Sequence, residues 1–376
     1  MGIGKKIKNT LGIDKCSFDT KNYNPNLLFQ SISKFDNKSL EYYVKHKVDL
    51  NIIQNNTGGT ILHHAVSVTN KDAINILLTN EPNLINKKDF YGNTALHFAS
   101  YIDDLELLNT ILQYCNDEDI IIKNGIGNTA LHFSACNSSK NLKLLIENCN
   151  PEDVSIRNEN GNTPLHVAIS AGNEKSFNLL IEAGADVNIR NKHYEIPLHN
   201  TVLIDDKNFL DVQIRIVKKL IDKGSDIYVN NSLWHTPLHL SVNRKVSEIL
   251  AREYRNLSDK EQVDSVINIM EDILRNKFLY FFINTESVNF KLLSSLRNKV
   301  LLLIDNINPI NAKEIYYYFD EKEYFNAESI FAFKQDIKHS LIAKTHSVST
   351  QKSGYALFDS DEIKTDSQPE GTLMGE

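Results

Sequence analysis

Between Thr60 and Val242 one short phrase returns six times, and that return constrains the fold more than any other property of the chain. It reads GGTILHHAV at 58–66, YGNTALHFA at 91–99, IGNTALHFS at 126–134, NGNTPLHVA at 160–168, YEIPLHNTV at 194–202 and WHTPLHLSV at 234–242. The histidines that follow its leucine, His63, His97, His132, His166, His199 and His239, stand 34, 35, 34, 33 and 40 residues apart. A period of about 33 residues accommodates one helical hairpin and no more. A lone hairpin cannot bury its apolar face. Neighbours must stack, and the 376 residues need not surround a single core.

Each residue of the phrase has a local task. The threonine before the helix supplies an N-cap oxygen to backbone donors that lack intrahelical partners. Pro164, Pro197 and Pro237 fall at the first helical position, whose N–H is unpaired in any case. Leu62, Leu96, Leu131, Leu165, Leu198 and Leu238 point into the stack. Second helices follow from apolar residues at helical spacing: Ile76-Leu77-Leu78, Leu107-Leu108 with Ile111-Leu112, Leu144-Leu145-Ile146 and Leu179-Leu180-Ile181. EAGADVNIRN at 182–191 closes one hairpin, with Gly184 suited to a left-handed C-cap. Where that glycine is replaced, as in QYCND and IENCN, the helix ends read as less tightly specified. The phrase T-P/A-L-H-x-A at this period resembles the ankyrin repeat. The resemblance implies an all-α solenoid of helix-turn-helix units with β-turn tips. It also implies a structural histidine, hydrogen-bonding within and between repeats.

Four segments are expected: a basic arm at 1–23, a solenoid of about seven repeats at 24–255, a small helical region at 256–343 and a disordered acidic tail at 344–376. The first repeat lacks the phrase. Its helices are expected at Leu27–Ser33 and Lys38–His46, with VDLN at 48–51 as its ending, which suits a cap with one face in water. Five repeats follow, at about 58–90, 91–125, 126–159, 160–192 and 193–232. The 193–232 repeat departs most: Tyr194 stands where the phrase has glycine, Ile196 where it has threonine, and an insertion occupies 204–212. The last phrase opens a truncated closing repeat.

Catalysis finds no foothold. A phosphate-binding glycine loop after a strand, HExxH and GxSxG are all missing, and Asp103-Asp104 and Asp205-Asp206 read as solvated pairs in inter-helix loops. One histidine per repeat cannot gather on a metal, because helices pack about 8–10 Å apart while zinc ligands lie about 2 Å from the ion. No cofactor or metal is expected. A net charge of −7 gives a nucleic-acid partner no support. The longest apolar runs, 278–283 and 300–304, fall short of the roughly 20 residues of a membrane span. MGIGKKIKNTLGI lacks the apolar core of a secretory signal. Cys16, Cys115, Cys136 and Cys149 show no CxxC spacing and read as reduced thiols in a cytoplasmic setting.

Binding remains. Ankyrin proteins generally hold protein partners through turn tips and the adjoining face of the first helix. Carried onto this chain, that pattern nominates Phe90, Tyr91, Asn93, Tyr101 and Ile102, then Ile126 and Asn128, then Glu159, Asn160 and Asn162. His193, Tyr194, Leu233, Trp234 and His235 complete it. Phe90-Tyr91, Tyr194 and Trp234 stand out, since exposed aromatics anchor interfaces; packing of Tyr194 and Trp234 onto neighbouring turns is the alternative. The expectation is a monomeric, non-catalytic module that binds a protein partner. Richness in Asn, Ile and Lys extends it to an effector that an intracellular microbe delivers into a host cell. Two alternatives fall on 256–343: a ubiquitin-ligase adaptor, for which LLLIDNINPINAKEIYYYF has a poor F-box-like opening, or an enzyme domain without recognisable motifs.

Overall fold

A computed structural model describes residues 24–53, 56–204, 206–233, 235–253 and Leu302. The arm at 1–23, Trp234, the tail at 344–376 and, apart from Leu302, the region at 256–343 lie outside the described residues. The chain divides into two compact units, Met1–Thr236 and Pro237–Glu376.

The first unit is a stack of helical hairpins. Their helices pair as Asn26–Ser33 with Asn37–Lys45, Ile61–Ser67 with Lys71–Asn80, and Ala95–Tyr101 with Leu105–Leu112. Ala130–Asn137 pairs with Ser139–Glu147, Pro164–Ser170 with Glu174–Glu182, and Pro197–Val202 with Leu210–Asp222. Among the described residues the only extended pairing is an isolated bridge between Ile53 and Thr60. The first hairpin falls within one residue of its expected limits. The phrase leucines Leu62, Leu131, Leu165 and Leu198 are fully buried, each contributing about 2 kcal/mol by removal from water. Leu77, Leu107, Leu145, Leu180 and Leu220 of the second helices are fully buried as well, and each first helix packs against its second. Second helices begin on polar caps: Asp36, Asn70, Asp104, Ser138 and Asn173 each accept a backbone N–H from the first turn. Asn70 also donates from Nδ2 to the Ile32 carbonyl at 3.0 Å, tying its cap to the preceding hairpin.

The helix ends expected to be loosely specified are closed by an additional turn. Short 3-10 helices span Pro82–Asn86 and Pro151–Ser155, and a single α-turn spans Asp117–Ile120. Asn116 with Asp119, and Asn150 with Asp153, form reciprocal capping boxes there. These turns bury Leu84, Ile85, Ile120 and Val154. Gly184 takes the left-handed conformation, at φ 84°. Beside the additional turns, Cys115 and Cys149 donate to the carbonyls of Ile111 and Ile146. Burial pushes their thiols up to about 12 and about 11. Both stay protonated at neutral pH and are poor nucleophiles, while Cys136 is exposed.

The insertion of the 193–232 repeat lengthens the far end of the hairpin. After Pro197–Val202 the chain makes a 3-10 turn at Lys207–Phe209 and enters a second helix of 13 residues. Gln213 holds the loop by donating to the carbonyls of Thr201 at 2.8 Å and Ile204 at 3.1 Å. The Phe209 ring lies over Gly172, 3.4 Å from where a Cβ would stand. The first helix, Pro197–Val202, separates this insertion from the tip that holds Tyr194, because the tip precedes that helix and the insertion follows it. In the second unit, Pro237–Leu240 and Arg244–Glu253 form a short hairpin. No helix of the described residues is long and apolar enough to cross a membrane.

Candidate functional site

Each tip is a tight turn organised by its first side chain. Asn124 Oδ1 accepts the N–H groups of Ile126 at 3.1 Å and Asn128 at 2.9 Å, while the Asn124 N–H donates to the Asn128 carbonyl at 2.9 Å. Asp89 holds Tyr91 and Asn93 in the same way, and Asn191 holds His193 and Glu195. Asn158 and Asn231 occupy the matching places. Consecutive tips are then joined through the backbone. Gly125 N–H donates to Tyr91 O at 2.8 Å, Glu159 to Ile126 O at 3.1 Å, Lys192 to Asn160 O at 2.9 Å and Ser232 to His193 O at 2.8 Å. A side-chain row runs beside it: Asn124 Nδ2 to Asn93 Oδ1, Asn158 Nδ2 to Asn128 Oδ1 and Asn191 Nδ2 to Asn162 Oδ1, at 2.8, 2.8 and 3.0 Å.

The histidines lock the tips to the helices. Thr60, Thr94, Thr129 and Thr163 each form a capping box with the histidine three residues on. The ring Nδ1 of His132 accepts the Thr129 N–H at 3.2 Å, and its Nε2 lies 3.0 Å from the Asn162 carbonyl of the next repeat. A carbonyl can only accept and an N–H can only donate, so the ring is the neutral tautomer with its hydrogen on Nε2. His63, His97 and His166 repeat this pattern onto Asn93, Asn128 and Glu195. At Ile196 the hydroxyl is missing and the ring half alone remains, with N–H to His199 Nδ1 at 3.2 Å. Burial lowers these imidazoles, with His97, His132 and His166 brought from 6.5 down to about 4. His63 and His199 are lowered for the same reason. Both nitrogens of each ring are occupied, so the row is scaffold.

The nominated residues that the structure describes separate into three groups. Phe90, Tyr91, Ile126, Tyr194 and Leu233 are exposed at 66, 68, 60, 58 and 67%, which leaves a run of apolar side chains facing water along the tips. Glu159, Asn160 and His193 are exposed beside them. By contrast Asn93, Asn128 and Asn162 are half-buried, their backbone and side-chain oxygens both engaged by neighbouring repeats. Half-buried His235 accepts the His199 ring on its carbonyl at 3.1 Å. Tyr101 and Ile102 lie at the opposite end of their first helix, about 10 Å from the tip, with their carbonyls taken by Asn137 and Asn141. Between the two ends the helix face carries half-buried Phe98 and Phe133. Phe133 meets the Tyr101 ring edge-on at 6.4 Å and the His97 ring at 5.5 Å. These two were not nominated, although their place directly after the phrase histidine marks them.

Tyr194 departs from its equivalents. Gly127 and Gly161 sit at φ 77°, and a Cβ on Gly127 would stand 2.5 Å from the Glu159 nitrogen of the next tip. Tyr194 adopts that left-handed conformation at φ 59° with a full side chain.

A stack of helical hairpins with hydrogen-bonded turn tips and a cross-repeat histidine row defines a repeat scaffold for protein recognition. The family model described as ankyrin repeats (3 copies) matches residues 28–124 and 99–191, and the chain is an ankyrin-repeat protein over that span. The crystal structure of the ankyrin repeat domain of Bcl-3, described as a unique member of the IkappaB protein family, superposes with a TM-score of 0.52. Identity is 24% over 61% of this chain and 98% of that one, a likeness of fold. No curated protein matches the chain.

Proposed function

We propose that the chain is a non-catalytic binding module whose tips, from Phe90-Tyr91 through Ile126 to Tyr194 and Leu233, take up a partner protein. Exposed apolar side chains on four of the five tips, interrupted by the polar tip at 158–162, support this. Each costs solvation when left in water, and each sits on a rigid backbone ladder, so little ordering entropy opposes binding. Tyr194 adds an independent argument. A left-handed non-glycine residue costs about 1 kcal/mol, and glycine fills the equivalent place in four other repeats, at Gly58, Gly92, Gly127 and Gly161. The scaffold alone favours glycine there.

A Tyr194→Gly variant is therefore expected to keep or raise the melting temperature while weakening partner capture. Loss of both stability and capture would mean that the tyrosine serves packing. Phe90→Ala with Tyr91→Ala is expected to reduce capture by about tenfold or more with the fold intact, as read by circular dichroism. Unchanged capture by both variants would remove the tips from the interface.

A further inference from the structure

Beside the apolar tips runs a second row. Lys88, Lys123, Arg157 and Arg190 stand 35, 34 and 33 residues apart, each directly before the side chain that organises its tip. All four are exposed. Lys88 Nζ reaches across to the Lys123 carbonyl at 2.9 Å, and Lys123 Nζ to the Arg157 carbonyl at 2.8 Å. The cations thus follow one another along the stack. Burial is the main reason the phrase histidines hold a proton weakly, and each cation adds a smaller repulsion to it, Lys88 at His97, Lys123 at His132, Arg157 at His166 and Arg190 at His199. That places the four charges alongside the histidine row. Among the described residues none of the four makes a salt bridge; the ion pairs belong to other cations, such as Lys71 with Glu106 and Arg215 with Glu174. An ammonium has three donors, so each lysine that gives one hydrogen to a carbonyl keeps two. Lys87 and Lys192 add charge at the same edge, while exposed Glu159 is a carboxylate within it.

We infer that this row receives an extended acidic segment of a protein partner with a carboxylate at every third residue. The inference rests on the tips being the interface, and it adds the chemistry of what they read. Stacked helices repeat at about 8–10 Å. A polyproline-II chain turns once in three residues and rises about 3.1 Å per residue, so residues i and i+3 share a face about 9 Å apart. One carboxylate per turn then meets one cation per repeat over four repeats. A β-strand places same-face side chains about 6.6 Å apart and drifts out of register.

The test measures fluorescence anisotropy of labelled ten-residue peptides with the full-length protein. One peptide carries Asp at positions 1, 4, 7 and 10; its comparator has the same composition with Asp at alternate positions. The three-spaced peptide is expected to bind at least about tenfold more tightly and to weaken as salt rises. Lys123→Glu with Arg190→Glu should lower its affinity by a similar factor, and Glu159→Gln should raise it. Thermal melts of the variants confirm that the fold is retained. Equal binding of the two peptides, tighter binding of a single-stranded oligonucleotide, or indifference to Glu159→Gln would overturn the inference. Capture lost through Phe90→Ala/Tyr91→Ala but unmoved by charge reversal would overturn it too, leaving the tips as an interface of another chemistry.

Discussion

Taken from neutral pH down to about 4, the repeat array is expected to unfold. His97, His132 and His166 hold a proton in the folded state only near pH 4, against 6.5 for a free imidazole. In the unfolded chain they take it up sooner. Their contribution is therefore complete above about 6.5, declines as pH falls, and is fully lost near 4, where the folded rings also titrate. A tenfold difference in proton affinity is worth about 1.4 kcal/mol, so each ring accounts for something on the order of 3 kcal/mol. Three such rings match the whole stability of an ordinary domain, roughly 5–15 kcal/mol. The cause is local: a hydrogen on Nδ1 would point at the threonine N–H that the nitrogen accepts, 3.2 Å away at His132. Helicity followed by circular dichroism should collapse between these limits. Helix content and melting temperature that stay level from neutral pH to about 4 would contradict this account.

Replacing His132 with alanine should cost about 2–4 kcal/mol, the other large effect. The ring links Thr129 in its own repeat to the Asn162 carbonyl in the next, and the fully buried Thr129 would be left with an N–H that nothing accepts. Since a stacked array is stabilised through its nearest-neighbour contacts, the loss also breaks cooperation between the halves on either side. Urea unfolding should then show two transitions or one broadened transition. A loss below about 0.5 kcal/mol with unchanged cooperativity would show that the ring is dispensable.

What the sequence made legible was whatever the period repeats. The prolines at first helical positions, the buried leucines, the capping threonines and the linking histidines all follow from short-range rules applied at a fixed step. Tyr194 is recognisable as a replaced glycine, and its left-handed backbone agrees. Less visible is the division of labour within a tip. Asn93, Asn128 and Asn162 group with the exposed residues when every tip residue is assigned to the surface. A turn alternates its groups, however, and the recurring pairs four residues apart, Asn124 with Asn128 and Asn158 with Asn162, carry the signal that one side chain of each tip binds the next. The additional turns after the second helices are hidden for a different reason. Their four or five residues are too few to show an apolar period, and Pro82 and Pro151 open two of them.

The repeat at 193–232 is where these regularities lapse together. The cap hydroxyl is replaced by Ile196, a tyrosine holds the glycine conformation, and Asn230 follows where a cation is due. The side-chain row stretches there to 3.4 Å, from Asn231 Nδ2 to the Glu195 carboxylate. A zip fastener with one coarse tooth parts at that tooth. Pulled from its ends, the array is expected to loosen at this tip contact before the tighter side-chain contacts at Asn93, Asn128 and Asn162, an order that stepwise force–extension traces would resolve.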